Sequence, residues 1–442
     1  MAHSVRLSQC MIVKNEEKNI RRALEWGKGT VFEQIVVDTG SEDRTVEIAK
    51  EMGASVFHFP WIDDFSAAKN FAISKAKGDW IVFLDADEYF GADCTAKIMP
   101  ILIRIEKGFH KKARPHAVRS TLVNLDDMGQ PFSTGIQDRI FRKTAEIGYR
   151  NRIHEILYNS DGSTVVVVDA SKELLIYHTG YTRKAYEETR KQERNVRMLK
   201  NEIKECPEDY NAWSYLGDSL FAMKSFNEAE QAFLHVINNE ENVLSEVRRD
   251  TVYCNYFKLK YSSDTGEEEE LCDIYEKAKA HGCSSPDLEC WFGYWYYKKG
   301  NKKKTVLYFE RALQSLDQYK GIGFLDISGA LSDMYQILFY IYKESLQFPE
   351  MIRYGVLTLR LNLYLMPILQ EILCLLKEEK GEMLSADSTF NFLIKLYDPN
   401  SLKNKLFLLK ASKLADFPAL ENKVYELFSA EEKEVLDNNY MD

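Results

Sequence analysis

The chain opens with short apolar runs that alternate with amphipathic stretches. Val5 to Val13 predicts a strand, and Asn19 to Trp26 predicts a helix that Gly27 and Gly29 stop. The cycle then repeats. Gln34 to Val37 is a second apolar strand, running into the turn-rich Asp38-Thr-Gly-Ser-Glu-Asp43. A helix follows from Arg44 to Met52, with Ser41 or Asp43 placed to cap it. Ser55 to Phe59 predicts a third strand, Asp64 to Lys77 a third helix ended by Gly78, and Trp80 to Leu84 a fourth strand. Strand-helix-strand alternation implies a parallel sheet with right-handed crossovers. Ligands of such sheets gather at the carboxyl ends of the strands. That rule sets Val13-Lys-Asn-Glu16, Asp38-Thr-Gly-Ser41 and Asp85-Ala-Asp-Glu88 along one edge.

After residue 110 the period changes. Ala117 to Leu125 alternates, Asp126-Asp-Met-Gly129 reads as a hairpin turn, and Asp138 to Arg142, Val165 to Val168 and Leu174 to Tyr177 are short strands. This predicts an antiparallel addition to the sheet. From Tyr181 the pattern is helical. Trp213-x-x-Leu216-Gly217-x-x-Leu220, with Ala229, Phe233 and Val236, follows tetratricopeptide spacing. Phe292-Gly293-x-x-Tyr296, with Thr305, Phe309 and Ala312, is a second copy, and Leu271, Tyr275 and Ala278 suggest a degenerate unit between them. A lone unit cannot bury its faces, so several must stack. Leu361 to Leu376 reads as one buried helix, too short and too interrupted to span a bilayer. The expected organisation is an α/β domain over 1–180, a linking helix over 181–206, and an all-α repeat domain over 207–442.

Composition narrows the function classes. A chain of 442 residues predicts two domains, and a formal net charge of -10 disfavours nucleic acid as a partner. The eight cysteines form no Cys-x-x-Cys pair, which predicts free thiols in a reducing compartment. The first ten residues lack a signal-peptide core, so a cytoplasmic location is expected.

The strand-end loops carry the chemistry. Asp85 and Asp87 repel each other unless something positive lies beside them. Hard oxygen ligands at a strand end suit Mg2+ or Mn2+, and such an ion neutralises a departing diphosphate. Asp38 is placed either to accept hydrogen bonds from a base or ribose, or to hold its own turn, with Gly40 and Ser41 allowing the tight bend. Asn15 and Glu16 either line the same pocket or, for Glu16, favour the following helix. Asp64, Lys69 and Asn70 enter the third helix, where Lys69 meets phosphate, meets a carboxylate, or is solvated.

Taken together, Met11-Ile-Val-Lys-Asn-Glu-Glu17, Val36-Val-Asp-Thr-Gly-Ser-Glu-Asp-Arg-Thr45, Ala67-Ala-Lys-Asn70 and Gly78-Asp-Trp-Ile-Val-Phe-Leu-Asp-Ala-Asp-Glu88 resemble the family 2 glycosyltransferases over about the first 100 residues. The resemblance implies a GT-A (Rossmann-like) fold, a UDP- or other nucleotide-sugar donor, a divalent metal, and inversion at the anomeric carbon. Ile136-Gln-Asp-Arg-Ile-Phe-Arg142, Arg152-Ile-His-Glu155 and Tyr177-His-Thr-Gly-Tyr181, followed by repeats, are similar to the branch holding the glycocin S-glycosyltransferases, which modify cysteine or serine in a peptide. The donor pocket is then expected around Val13, Asn15, Glu16, Asp38, Gly40, Ser41, Asp64, Lys69, Asn70, Asp85 and Ala86.

An inverting transfer needs a base to take the acceptor proton. His154 and Glu155 are the first candidates and Asp138 the rival. His154 has a second reading as a third metal ligand beside Asp85 and Asp87, leaving Glu155 as the base. His178 is a weaker candidate for diphosphate contact, and Arg139 and Arg142 either receive phosphate or pair with acids. The repeats suit a peptide or protein acceptor, or else form a homodimer interface. Competing readings are a cell-envelope glycan or lipopolysaccharide-core acceptor, and a non-catalytic interaction protein that binds sugar nucleotide.

Overall fold

The computed structural model describes residues 5–108, 114–179, 191–239, 244–321, 325–378 and 382–439. Its first four strands, β1 (Leu7–Val13), β2 (Glu33–Asp38), β3 (Ser55–His58) and β4 (Trp80–Phe83), are parallel and lie side by side in the order β3-β2-β1-β4. The helices α1 (Ile20–Glu25), α2 (Thr45–Glu51) and α3 (Phe65–Lys75) connect them. Ile35, Val36 and Val37, like Ile81, Val82 and Phe83, are buried on both sheet faces, so these strands read as unbroken apolar runs. Ser8 and Gln9 are the polar residues fully buried within β1: Ser8 Oγ donates to Glu33 at 2.7 Å, and Gln9 donates to the Ala23 carbonyl at 2.7 Å and accepts from Gln34 at 2.7 Å. With their polar groups bonded, their burial is tolerated.

The sheet continues through β5 (Glu88–Phe90), α4 (Ala92–Gly108), β6 (Ala117–Leu125) and β7 (Pro131–Arg142). A separate hairpin pairs β8 (Ile147–Arg150) with β9 (Ile156–Asn159), and β10 (Val167–Asp169) and β11 (Leu175–His178) complete the fold. Strand β7 runs antiparallel beside β4, and the order ends β7-β6-β11-β5, with β10 also on β6. The antiparallel addition is therefore present, although β10 and β11 run parallel to β6. The segment Asp138 to Arg142 is the end of a 12-residue strand, more than twice as long as the local alternation suggests.

The chain divides into two compact units, Met1–Cys283 with Lys320–Phe324, and Ser284–Tyr319 with Leu325–Asp442. The first contains the α/β domain and the helices α5 (Lys191–Glu205), α6 (Tyr210–Ala222), α7 (Phe226–Ile237), α8 (Glu246–Ser263) and α9 (Glu268–Ala280). Residues 181–190 of the expected linking helix lie outside the described residues. Both full repeat copies are helix pairs built on one close approach. A Cβ added at Gly217 would come within 2.4 Å of the Phe233 ring, and one at Gly293 within 2.4 Å of the Phe309 ring. The repeat glycine is small because the facing phenylalanine fills its place.

Among its described residues, the regular elements of the second unit are all helices. Leu361 to Leu376 is not one helix. Extended backbone at Asn362 ends Phe348–Leu361, and Met366–Glu378 begins with Pro367 in its first turn, where a missing N–H does no harm. Among the described residues, no helix is long and apolar enough to cross a membrane.

Candidate active site

Helix α3 starts at Asp64, whose Oδ1 accepts the Ala67 N–H at 2.8 Å. Five residues on, the chain carries Lys69 into the protein, where it is only 1% exposed. Its ammonium lies 5.1 Å from the Phe83 ring centre and 5.2 Å from that of Tyr149. It pairs with Glu155 Oε1 and stands 3.6 Å from Asp85 Oδ1. A buried cation persists only with such partners. Asn70 grips the Tyr149 main chain both ways, donating to its carbonyl and accepting its N–H, each at 2.8 Å. That clamp holds β8 against α3 and fixes where the chain leaves toward Glu155.

Strand β4 delivers Asp85 to the same place from the other side. Arg139 of β7 donates to Asp85 Oδ2 at 2.9 Å and to Glu88 Oε1 at 2.5 Å, while Glu88 Oε2 accepts the Asp85 N–H at 3.0 Å. Burial alone would raise the Asp85 carboxyl, but Lys69 and Arg139 outweigh it and hold it well below the usual carboxylate range. Buried Glu88 goes the other way, its desolvation exceeding the help from Arg139. Asp87 sits 3.3 Å from His178 Nε2, and His178 Nδ1 is 2.8 Å from Asn124 Oδ1. Desolvation opposes the imidazolium of His178, but the bond to Asp87 prevails and raises its pKa.

The loop between β8 and β9 is braced by the helical segment. Arg152 donates to both oxygens of Glu205 at 2.7 Å. His154 adopts φ 53°, an uncommon backbone state for a side chain of its size, and stacks on Tyr215 of α6 at 3.8 Å between ring centres. The Arg248 guanidinium of α8 lies 4.1 Å from the Tyr215 ring centre, fixed by Ser214 at 2.7 Å and Asp218 at 2.6 Å. Desolvation in the stack and then the Arg248 charge lower the His154 pKa to about 4. His154 is therefore neutral at neutral pH, whereas Glu155, raised by burial but lowered further by Lys69, is ionised.

These groups meet in a cleft of about 540 Å³ lined by Val13, Glu16, Lys69, Asp85, Ala86, Asp87, His154 and Glu155, all expected from the sequence. Other expected residues shape it from outside its lining. Asp38 Oδ1 accepts the Ser41 N–H at 3.0 Å and its Oδ2 that of Gly40 at 3.2 Å, so its carboxylate holds the turn. Gly40 has φ 110°, which glycine alone adopts readily. Asn15 and Ser41 staple the first two loops together: the Asn15 N–H donates to Ser41 Oγ at 3.0 Å, and Asn15 Oδ1 accepts from Glu42 at 2.8 Å. Asp64 caps α3 and Asn70 clamps β8, as above.

Two expectations need correction. Asp138 is not brought to the cleft; strand alternation sends Gln137 and Arg139 there, and Asp138 pairs with Arg119 at 2.9 and 3.0 Å. His154 is not gathered with Asp85 and Asp87 into a ligand set, because its ring is taken by Tyr215; among the described residues no three His, Cys, Asp or Glu groups are arranged to hold a metal. Lining residues that sequence reasoning missed are Trp61 and Phe65, and Lys191, Arg194 and Asn195 of α5. The last three had one available signal, polar residues at i, i+3 and i+4 on one helix face.

Comparison with known proteins bears on this cleft. Residues 8–120 match the family described as Glycosyl transferase family 2. A TPR repeat-containing protein of Synechococcus elongatus is 33% identical over 227 residues, 50% of this chain and 53% of that protein. The SPbeta prophage-derived glycosyltransferase SunS of Bacillus subtilis is 27% identical over 232 residues, 52% of each chain. An uncharacterized glycosyltransferase of Rickettsia typhi is 45% identical over 83 residues, 19% of this chain and 28% of that protein. The chain thus spans about half the length of the first two relatives.

Proposed function

With a family 2 glycosyltransferase domain at its N-terminus, we propose that this protein moves a hexose from a UDP-sugar to a peptide or protein side chain, with inversion. One observation carries the reading. Lys69 bridges Asp85, on the strand-end loop that would face the donor diphosphate, and Glu155, on the loop that would face the acceptor. The two halves of a displacement reaction therefore share one buried cation.

In this mechanism the acceptor heteroatom attacks the anomeric carbon as the bond to the UDP oxygen breaks, and Glu155 takes the acceptor proton. Glu155 and His154 are both unprotonated at neutral pH, but the His154 ring is held in its stack, so the base is Glu155. Asp85 and Asp87 are hard oxygen donors on one cleft wall and suit Mn2+ or Mg2+, which when bound would offset diphosphate charge. Arg139 and Lys69 orient Asp85, and His178 orients Asp87. The repeats supply a face suited to an extended peptide.

UDP release with a panel of UDP-hexoses and peptide acceptors tests the proposal. Asp87→Ala should abolish transfer while the far-UV CD spectrum is unchanged, and Glu155→Gln should reduce kcat by roughly 100- to 10,000-fold. Unchanged turnover in Asp87→Ala would sink the metal assignment.

A further inference from the structure

Helix α5 lies beyond the matched family segment, yet one of its faces closes the cleft. Lys191, Arg194 and Asn195 all line it. Lys14, Lys191 and Arg194 differ from the other cations there, and of these three only Arg194 has a side-chain nitrogen buried without a partner among the described residues. Lys69 is neutralised by Glu155 and Asp85, Arg139 by Asp85 and Glu88, and His178 faces Asp87. Nearby Asp63 is taken by Arg197 at 2.8 and 3.2 Å and by the Trp61 indole at 2.8 Å. Arg194 is left with a neutral contact, Nη2 to Asn195 Oδ1 at 3.3 Å, and its Nε is buried with no hydrogen-bond partner. Among the described residues it forms no ion pair. Its guanidinium is propped 5.0 Å from the Phe65 ring centre, which fixes it without neutralising it.

A half-buried guanidinium whose Nε is withdrawn from water without a partner is costly unless a ligand supplies one. Its planar fork matches phosphate oxygens. We infer that Arg194 binds the diphosphate of the nucleotide donor, so that the helical segment contributes directly to the donor pocket. This rests on the donor reading above. Desolvation, then the neighbouring charge of Arg197, lower the Arg194 pKa, the expected sign for a cation whose counter-charge arrives with the ligand.

The test uses the full chain. Calorimetry measures the Kd of UDP, with GDP and dTDP in parallel, and saturation-transfer NMR measures uridine, which lacks phosphate. Arg194→Gln should weaken UDP by roughly 10- to 100-fold while uridine binding and the melting temperature stay unchanged. Arg194→Met, which keeps the stem over Phe65, reads the same ratio should the glutamine variant not fold. Wild-type affinity for UDP in a folded variant would overturn the assignment and leave the donor reading standing. Equal loss of UDP and uridine would make Arg194 structural and overturn it as well. A wild-type chain that binds none of the three diphosphates would remove the donor reading and this inference together.

Discussion

Replacing Lys69 by Met keeps most of the side-chain volume and deletes the charge. Packing losses should be small, because the swap nearly conserves shape. The electrostatic loss should not be. The Glu155 side chain is 16% exposed and that of Lys69 2%. Breaking such a pair by removing one partner costs about 3–5 kcal/mol, because the remaining charge stays buried. The cost depends on pH with a definite sign. In the wild type, Lys69 lowers the Glu155 pKa, so the pair contributes stability above the unfolded carboxyl value of about 4.3, and loses it as pH falls through the folded value. In the variant burial, helped by the Asp85 charge, is left to raise the Glu155 pKa, so the variant loses stability as pH rises above that same unfolded value. Both slopes widen the gap from acid to neutral. The deficit should be about 1 kcal/mol or less near pH 4 and about 3–5 kcal/mol at pH 7.5. For a transition of the size of the Met1–Cys283 unit that corresponds to roughly 5–8 °C in Tm at pH 7.5. Scanning calorimetry of the full chain at the two pH values, following the transition of the Met1–Cys283 unit, measures it. An equal deficit at both would refute the argument, since it would show that the pairing with Glu155 was not what had been lost.

Other expectations follow from single contacts. Gly217→Ala and Gly293→Ala should each destabilise by about 1–3 kcal/mol through the clash with Phe233 or Phe309, despite alanine's better helix propensity. Gly329→Ala, with nothing within 4 Å of the new Cβ, should instead stabilise by up to about 1 kcal/mol. Urea unfolding of the three variants separates clash from propensity, and equal shifts in one direction would contradict it. The raised pKa of His178 means that its pairing with Asp87 is complete below about pH 6.5, the unfolded value, and is lost as pH rises through the folded one. His178→Gln should flatten the stability profile over that window, read as Tm against pH; an unaltered slope would exclude the pairing as its source.

The parallel half of the sheet was legible because its strands are apolar on both faces and stop at polar loops. The strands β5, β8 and β9 were not. Strand ends located Asp38 and Asp85 equally well, but not where each carboxylate points: one turns back on its own N–H groups, the other faces the cleft. Asp138 failed by one residue. Alternation shows that neighbours face opposite ways, and only the partner strand decides which faces the site. His154 failed for a different reason, because Tyr215 is far along the chain and nothing local announces the stack. Lys69 was ambiguous as a helical lysine until its burial between two rings was known.

The brace on the 150–155 loop bears on how such proteins can be recombined. Arg152 holds Glu205, and His154 rests on Tyr215, itself backed by Arg248. Under the proposed function, a chimaera joined at residue 206 would change the proposed acceptor face and the loop support in one stroke, and a loss of turnover would be blamed on the new face. Moving the seam past Ser263 carries the brace intact. The smallest exchangeable piece is then the α/β domain with helices α5 to α8, and natural shuffling of these repeats should respect the same border.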